Sequence, residues 1–253
     1  MKIATIVPTD HLRLIKRDDY CMALAHIALK DREYRRWFRK TARSGRHVLL
    51  DNGAAELGAG MTSHVVLLAA KQVMAHEIVL PDVISDGDAT LHTSQNAYDM
   101  FVPKRNPSWR IMAVPQGKSL QEYRATVLEM LKWPHVRALG ISRFVVDLDV
   151  VPDRLTLLEA IPEIVKSDRD IHLLGCPGDP IEAHHIDQAF PNRIRGIDSG
   201  IAAIYTQAGM SLRDGPKPQV ELDFAGTLDS RLLVQNIRDW RCRATTGKWW
   251  FNT

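Results

Sequence analysis

The sequence predicts a closed (β/α)8 barrel, an α/β fold in which parallel strands alternate with helices. Short apolar runs recur along the chain, a stretch of helical periodicity follows each run, and polar residues or glycines stand directly after most of them. Apolar runs of this length that do not alternate with polar residues are typical of strands buried on both faces. An open, doubly wound sheet is the main alternative.

The predicted strands are Ile3–Val7, Val48–Leu50, Ile78–Leu80, Ile111–Val114, Val136–Ile141, Ile171–Leu174, Ile194–Ile197 and, with the weakest pattern, Val220–Phe224. The predicted helices are Tyr20–Leu29, Arg32–Ala42, His64–Met74, Ala89–Phe101, Leu120–Leu131, Arg154–Val165, Ile181–Phe190 and Ser230–Trp240. Residues Gly209–Pro218 have no regular pattern and are expected to form a surface loop. No linker or repeat divides the chain, so we expect one domain over residues 1–253 with a basic and aromatic C-terminal segment, 228–253.

Composition narrows the class of protein. A chain of 253 residues with 45% hydrophobic content can bury a full core. Its three cysteines, Cys21, Cys176 and Cys242, form no Cys-x-x-Cys pair, which argues against a disulfide framework and a thiolate zinc site. No apolar run approaches the roughly 20 residues that span a bilayer, and the N-terminus lacks the order of a signal peptide. We therefore expect a cytoplasmic protein with no membrane partner.

Basic residues are concentrated in two places. The net charge of +3 is mild, but residues 30–46 carry eight basic side chains against two acidic ones, with Tyr34, Trp37 and Phe38 between them. This pattern fits either a nucleic-acid interface or a helix that packs its aromatic side chains inward and exposes an ordinary basic face. The candidate nucleic-acid contacts are Arg35, Arg36, Arg39 and Arg43 in this region and Arg241 and Lys248 near the C-terminus. The terminal tryptophans could anchor the C-terminal segment instead of stacking on bases.

Polar residues and glycines at the predicted strand ends form the candidate site. In a barrel the residues that follow the strands surround the ligand. They are Asp51, Asn52, Gly53, Asp82, Gln116, Gly117, Gly140, His172, Gly175 and Asp198. Carboxylate and amide groups match the hydrogen-bonding edge of a planar ligand such as a purine. Helix caps or turns for the aspartates and a structural role for His172 are the alternatives.

The order of the strand-end motifs resembles the tRNA-guanine transglycosylase family, and in particular its shorter branch in phages and bacterial genomic islands. The motifs are Asp51-Asn52-Gly53, Pro81-Asp82, Pro115-Gln116-Gly117, Gly140-Ile141-Ser142, His172-Leu173-Leu174-Gly175 and Asp198-Ser199-Gly200. The similarity extends over roughly residues 3–200. Members of the shorter branch insert 7-deazaguanine bases into DNA.

The resemblance implies specific roles. Asp198 would be the nucleophile that attacks C1′ of the sugar. Asp51 would be the general acid and base, which protonates the departing purine and then accepts a proton from the incoming one. Asp82 would read the Watson–Crick edge, while Gln116 and Gly140 would contact the base. The resemblance also implies no cofactor, DNA and a 7-deazaguanine such as preQ0 as substrates, and a location in the host cytoplasm if a phage encodes the chain.

Two departures from the family pattern affect the expected substrate. The tRNA enzymes carry a Cys-x-Cys-x-x-Cys zinc site near the C-terminus, whereas Cys242 is alone in its region, so we expect no metal and favour DNA over tRNA. Asn52-Gly53-Ala54 also replaces the family's Ser-Gly-Gly. The alternatives are a tRNA substrate, a base-removing glycosylase, and a nucleic-acid-binding barrel without catalysis. The sequence leaves the oligomeric state open.

Overall fold

The computed structural model describes residues 1–57, 60–102, 109–147 and 150–250. Its sheet has eight parallel strands in the order β1-β8-β7-β6-β5-β4-β3-β2. The strands are β1 (Lys2–Thr5), β2 (Cys21–Leu24), β3 (Val48–Asp51), β4 (Glu77–Val79), β5 (Arg110–Ala113), β6 (Val136–Ser142), β7 (Asp170–Leu174) and β8 (Ile194–Ser199). Because β1 and β2 lie beside each other, the sheet is a nearly closed barrel, and the predicted (β/α)8 fold is confirmed.

The helices lie between the strands on the outside of the barrel. A 3₁₀ helix (Thr9–Ile15) follows β1, and the α-helices are α1 (Ala25–Lys30), α2 (Arg32–Arg43), α3 (Ala54–Leu57), α4 (Ser63–Val73), α5 (Gly87–Phe101), α6 (Leu120–Met130), α7 (Phe144–Asp147), α8 (Arg154–Ala160), α9 (Pro162–Lys166), α10 (Ile181–Ala189), α11 (Ile201–Gln207) and α12 (Ser230–Thr246). Aspartate or serine side chains cap α2, α5, α6, α8 and α12 by accepting from backbone N–H groups of the first turn. Among the described residues, no helix is long and apolar enough to cross a bilayer.

Two predicted elements are wrong, and together they shift the strand numbering. Residues 20–29, predicted as one helix, contain the fully buried strand β2 followed by α1. Residues 220–224, predicted as the last strand, lie in the irregular segment between α11 and α12, residues 208–229. A short buried apolar run does not distinguish a strand from a helix by its periodicity. Asp51 therefore ends the third strand instead of the second, and Asp198 lies on the eighth instead of the seventh.

The predicted helix over Arg154–Val165 is divided in two. Pro162 occupies the first turn of α9, where its missing N–H leaves no helical hydrogen bond unmade. The predicted loop Gly209–Pro218 is confirmed, since these residues have no regular secondary structure.

Apolar side chains form two layers. One cluster fills the barrel interior and includes Ala4, Met22, Leu49, Val79 and Met112. A larger cluster lies between the strands and the surrounding helices. Alternate residues of a strand face opposite sides of the sheet, so each strand contributes to both layers. The two layers hold the strand ends in fixed positions.

The seam between β1 and β2 is closed largely by side chains. The backbone N–H of Ile3 donates to Asp19 Oδ2 at 2.8 Å, and that of Thr5 donates to Asp18 Oδ2 at 2.5 Å. Arg241 of α12 pairs with the other oxygen of Asp18 at 2.6 Å. Burial raises the pKa of Asp18 to about 6 even though Arg241 and Thr5 oppose the shift.

Candidate functional site

A cavity of about 480 Å³ lies over the carboxyl ends of the strands. Each of the eight strands contributes a residue at or just after its end; in strand order these residues are Ile6, Leu24, Asp51, Asp82, Val114, Ser142, Leu174 and Asp198. The lining combines an apolar wall with a few carboxylates, as expected for a site that binds a small organic ligand. The structure therefore brings the two candidate catalytic aspartates, Asp51 and Asp198, to one cavity.

Asp198 is held by a buried histidine. Its side chain lies at the end of β8 and is 5% exposed, and its Oδ1 is 2.9 Å from Nε2 of His172 on β7. The neighbouring strands pair in parallel there, with His172 opposite Gly196, two residues before Asp198. This register places both side chains on the same inner face of the barrel.

The protonation of His172 follows from its neighbours. Burial lowers the pKa of His172 and outweighs the opposing hydrogen bond to Asp198, so the ring is neutral at pH 7. A guanidinium nitrogen of Arg195 lies 3.4 Å from Nδ1, and arginine can only donate. Nδ1 therefore accepts, Nε2 carries the proton, and His172 donates to Asp198.

Arg195 is fixed in turn by the fully buried Glu77 of β4. Both carboxylate oxygens of Glu77 accept from Arg195 at 2.8 and 2.9 Å, and His47 lies 3.0 Å from Glu77 Oε2. Burial raises the pKa of Glu77, but these hydrogen bonds and the Arg195 charge outweigh it and lower the pKa to about 2. A continuous chain of polar groups thus runs through the barrel from Asp198 to His47 and fixes the orientation of His172.

Asp82 is a second buried carboxyl in the cavity. Its Oδ1 accepts from Asn52 Nδ2 at 2.8 Å and its Oδ2 accepts from Gln116 Nε2 at 2.7 Å. Burial raises the pKa of Asp82 to about 6, and the two amide donors only partly oppose this. Asn52 also donates to the carbonyl of Leu80, so its amide is fixed in one orientation. Gln116 lies behind Asp82 and does not line the cavity.

Asp51 is the third carboxyl and is half-buried at the end of β3. Its Oδ2 accepts from the backbone N–H of Gly53 at 2.8 Å. Gly53 has a φ of +82°, in the left-handed region that favours glycine, so the Asp51-Asn52-Gly53 motif forms a tight turn at the cavity. Asp51, Asp82 and Asp198 all line the same cavity.

The other candidate ligand contacts differ in position. Gly175 lines the cavity, whereas His172, Gly117 and Gly140 do not. A Cβ at Gly117 would lie 2.5 Å from the backbone nitrogen of Tyr123 in α6, and one at Gly140 would lie 2.5 Å from the Leu174 side chain. Gly117, a candidate site residue, and Gly140, a predicted base contact, are thus sites of close packing outside the cavity lining.

Several lining residues were not predicted from the sequence. Arg143 follows the end of β6 directly. Because residues that follow the strands of a barrel surround the ligand, its position could have been identified from the sequence. Lys217, Glu221 and Phe224 come from the irregular segment 208–229, for which the sequence gives no positional signal. Gln207 holds this segment over the cavity: its Nε2 donates to the carbonyl of Glu221 at 2.7 Å, and its Oε1 accepts from the N–H of Asp223 at 2.8 Å.

The candidate nucleic-acid contacts on α2 lie on the surface, apart from the cavity. Tyr34 and Phe38 are buried, as the alternative reading of this helix predicted. Arg35 donates to the carbonyls of Ala28 and Leu29 at 2.9 and 3.0 Å and so caps the end of α1. The basic side chains of α2, including Arg35, form a basic groove together with Gln72 of α4; its lining residues are Arg32, Arg35, Arg36, Arg39, Lys40, Arg43 and Gln72.

The C-terminal candidates have contacts within the chain. Arg241 pairs with Asp18 in the β1–β2 seam, so its charge serves the fold and it lies outside the cavity lining. Lys248 is exposed. The guanidinium of Arg243 lies 4.7 Å from the ring centre of Trp249, and that of Arg238 lies 4.7 Å from the ring centre of Trp250.

The two tryptophans therefore anchor the C-terminal segment, of which residues 251–253 lie outside the described part of the chain. In the described ranges, no group of three or more histidine, cysteine, aspartate or glutamate side chains could hold a metal ion.

Comparisons with known proteins add the fold alone. No family model matches the chain, and no curated protein matches it. Among solved structures, the chain resembles "QR15, an Aldolase" at 12% identity and a TM-score of 0.52, over 79% of this chain and 88% of that one. It also resembles "PhdJ bound to substrate intermediate" at 10% identity and a TM-score of 0.50, over 80% of this chain and 67% of that one.

A mandelate racemase/muconate lactonizing protein from Herpetosiphon aurantiacus matches at 12% identity and a TM-score of 0.49, over 78% of this chain. The match spans only 54% of the length of that protein. At such low identity these similarities describe the barrel, which hosts many unrelated reactions, so the chemistry must be argued from the site.

Proposed function

We propose that the chain is a transglycosylase that exchanges guanine in DNA for a 7-deazaguanine base such as preQ0 through a covalent intermediate on Asp198. One observation carries the proposal. Asp198 lines a cavity with three further carboxyls, those of Asp51, Asp82 and Glu221, and a buried neutral histidine donates to its Oδ1. A carboxylate nucleophile with a second acid nearby is the arrangement that substitution at a sugar carbon requires.

The reaction has two balanced steps. Asp198 attacks C1′ through Oδ2, the C1′–N9 bond breaks, and guanine leaves with that electron pair and takes a proton from a cavity acid. The incoming base then loses its N9 proton to the same acid, N9 attacks C1′, and the bond to Asp198 breaks. His172 occupies Oδ1 of Asp198, so it orients the carboxylate for attack by the other oxygen.

Asp51 and Asp82 suit different tasks. Asp51 is half-buried in a turn and is the proposed general acid and base. Asp82 is buried and rigidly held by two amides, which suits a carboxylate that accepts from the N–H groups of a guanine edge.

Chemistry at C1′ in a duplex requires the nucleotide to leave the base stack, at a cost of a few kcal/mol. A cavity of about 480 Å³ at the barrel mouth is compatible with such an extruded base. DNA is preferred over tRNA because the sequence lacks the cysteine cluster of the tRNA enzymes.

The test is incorporation of labelled preQ0 into duplex DNA. Wild type should incorporate the label and form a covalent protein–DNA adduct detectable by intact mass, and Asp198→Ala should do neither. Asp168→Asn is the matched control, since the Asp168 side chain is 81% exposed and lies outside the cavity lining.

If the label were incorporated into tRNA and not into DNA, tRNA would replace DNA as the substrate in this proposal. Release of free guanine without an added base would indicate hydrolysis instead of exchange. Incorporation that survives Asp198→Ala would refute the mechanism.

A further inference from the structure

A second groove adjoins the cavity at the barrel mouth. It has a volume of about 830 Å³, and its lining includes Pro177, Asp179, Tyr205, Arg213 and Trp249. Among the described residues, two line both the cavity and this groove: Arg143 and Lys217. The boundary between the two spaces is therefore marked by two cations.

Among the described residues, the cavity and the groove differ in the number of carboxyl side chains that line them. The cavity contains the carboxyls of Asp51, Asp82, Asp198 and Glu221. In the groove, Asp179 receives two hydrogen bonds from Arg243, at 2.9 and 2.7 Å. Burial raises the pKa of Asp179, but the bonds from Arg243 outweigh it and lower the pKa, so this acid is ionised and already paired. The charge of Asp179 is thus offset within the protein.

The two boundary cations are attached to different parts of the fold. The backbone N–H of Arg143 donates to the carbonyl of Leu174 at 2.9 Å, and its guanidinium lies 4.5 Å from the ring centre of Phe144. The aliphatic part of Arg143 passes Gly175, where a Cβ would lie 2.8 Å from Arg143 Cδ.

Lys217 is carried by the segment 208–229. Tyr205 Oη donates to the carbonyl of Gly215 at 2.7 Å, two residues before Lys217. Gln207 holds the same segment further along. The backbone that carries both cations is therefore held by the strand ends and by α11.

We propose that Arg143 and Lys217 form a phosphate site, so that the ligand of the cavity is a nucleotide or a nucleic-acid strand and not a free nucleoside. This inference rests on the proposed function, which places the base inside the cavity and C1′ beside Asp198. The phosphates of that nucleotide then lie at the cavity rim, and the strand continues along the second groove. Arginine and lysine beside a largely apolar cavity bind phosphate by charge-assisted hydrogen bonds.

The groove is a poor site for base stacking. Trp249 is already in contact with the guanidinium groups of Arg213 and Arg243, at 5.7 and 4.7 Å from its ring centre. The groove therefore guides the sugar–phosphate backbone. The basic groove on α2 is a separate cationic surface, and it does not border the cavity.

Calorimetry with four ligands tests the inference: guanine, deoxyguanosine, deoxyguanosine 5′-monophosphate and deoxyguanosine 3′-monophosphate. Wild type should bind at least one monophosphate about tenfold or more tightly than deoxyguanosine, because hydrogen bonds to a charged group are worth about 1.5–3 kcal/mol. The double variant Arg143→Gln/Lys217→Gln should bring this ratio close to one. Arg124→Gln/Lys132→Gln is the matched control and should keep the wild-type ratio, because both side chains are exposed and neither lines the cavity nor either groove.

The outcomes separate this inference from the proposed function. Binding of guanine and deoxyguanosine with no preference for either monophosphate would overturn the phosphate site alone. A preference that persists in the Arg143/Lys217 double variant, or that disappears in the Arg124/Lys132 control variant, would also overturn it. If none of the ligands binds, the base site fails, and both proposals fail with it.

Discussion

The free energy of unfolding of the Asp82→Asn variant, relative to that of wild type, should be higher at neutral pH than at acid pH. Burial raises the pKa of Asp82 from 3.8 to about 6. The folded state therefore binds this proton more tightly than the unfolded state does. Stability that is present when Asp82 is protonated is lost as the pH rises from about 4 through about 6.

The magnitude follows from the shift. A difference of roughly 2 pKa units corresponds to about 3 kcal/mol, since one unit is worth 1.36 kcal/mol. The asparagine can keep both hydrogen bonds, because its oxygen accepts from Asn52 and its NH₂ donates to Gln116 once the Gln116 amide turns over. The variant therefore removes the charge while it leaves the packing in place.

Urea unfolding of both proteins at about pH 4 and about pH 7.5 gives the required comparison. The free energy of unfolding of Asp82→Asn minus that of wild type should increase by roughly 2–2.5 kcal/mol between the two pH values, because the unfolded carboxyl is already partly ionised at pH 4. Asp18 titrates in the same range but cancels in this difference, and Asp168→Asn should show no such increase. A difference that stays constant with pH would refute the burial argument.

Three further changes have defined outcomes. His172→Leu removes the donor to Asp198, so the rate of base exchange should fall about 10- to 100-fold in single-turnover kinetics with saturating DNA, as expected for a hydrogen bond to a charged group; an unchanged rate would show that the carboxylate needs no orientation. Arg241→Ala leaves the buried Asp18 without its cation and should lower the free energy of unfolding by about 2 kcal/mol, with DNA affinity unchanged; a loss of affinity alone would restore Arg241 as a nucleic-acid contact. Gly117→Ala places a Cβ against a backbone nitrogen that cannot move aside and should cost about 1–3 kcal/mol in urea unfolding, whereas no loss would show that α6 can shift.

The barrel could be predicted from the sequence because buried parallel strands are nearly continuous apolar runs. Seven of the predicted strands coincide with observed ones. The missing strand, Cys21–Leu24, was merged with the helix that follows it, because the four buried residues pass directly into α1 with no glycine or proline between them. The weak apolar pattern of residues 220–224 reflects contact with the cavity and not strand pairing.

The candidate site was predicted only where strand ends define it. Asp51 and Asp198 lie at the carboxyl ends of β3 and β8, and Asp82 comes three residues after β4, so the barrel topology brings them together. Lys217 was not predicted, because its position depends on how an irregular segment folds back over the barrel. The contacts that fix this segment come from side chains of α11, among them Gln207, and no local pattern encodes such long-range contacts.

The seam between β1 and β2 has a consequence for how the barrel opens. Elsewhere around the barrel, neighbouring strands share backbone ladders, whereas the N–H groups of Ile3 and Thr5 are covered by the carboxylates of Asp19 and Asp18. A rotation of those side chains exposes the two amides to water without separating any ladder. In hydrogen exchange, these amides should therefore report a local opening of lower free energy than those of β6 and β7. We therefore expect the seam between β1 and β2 to open locally while the rest of the barrel stays folded.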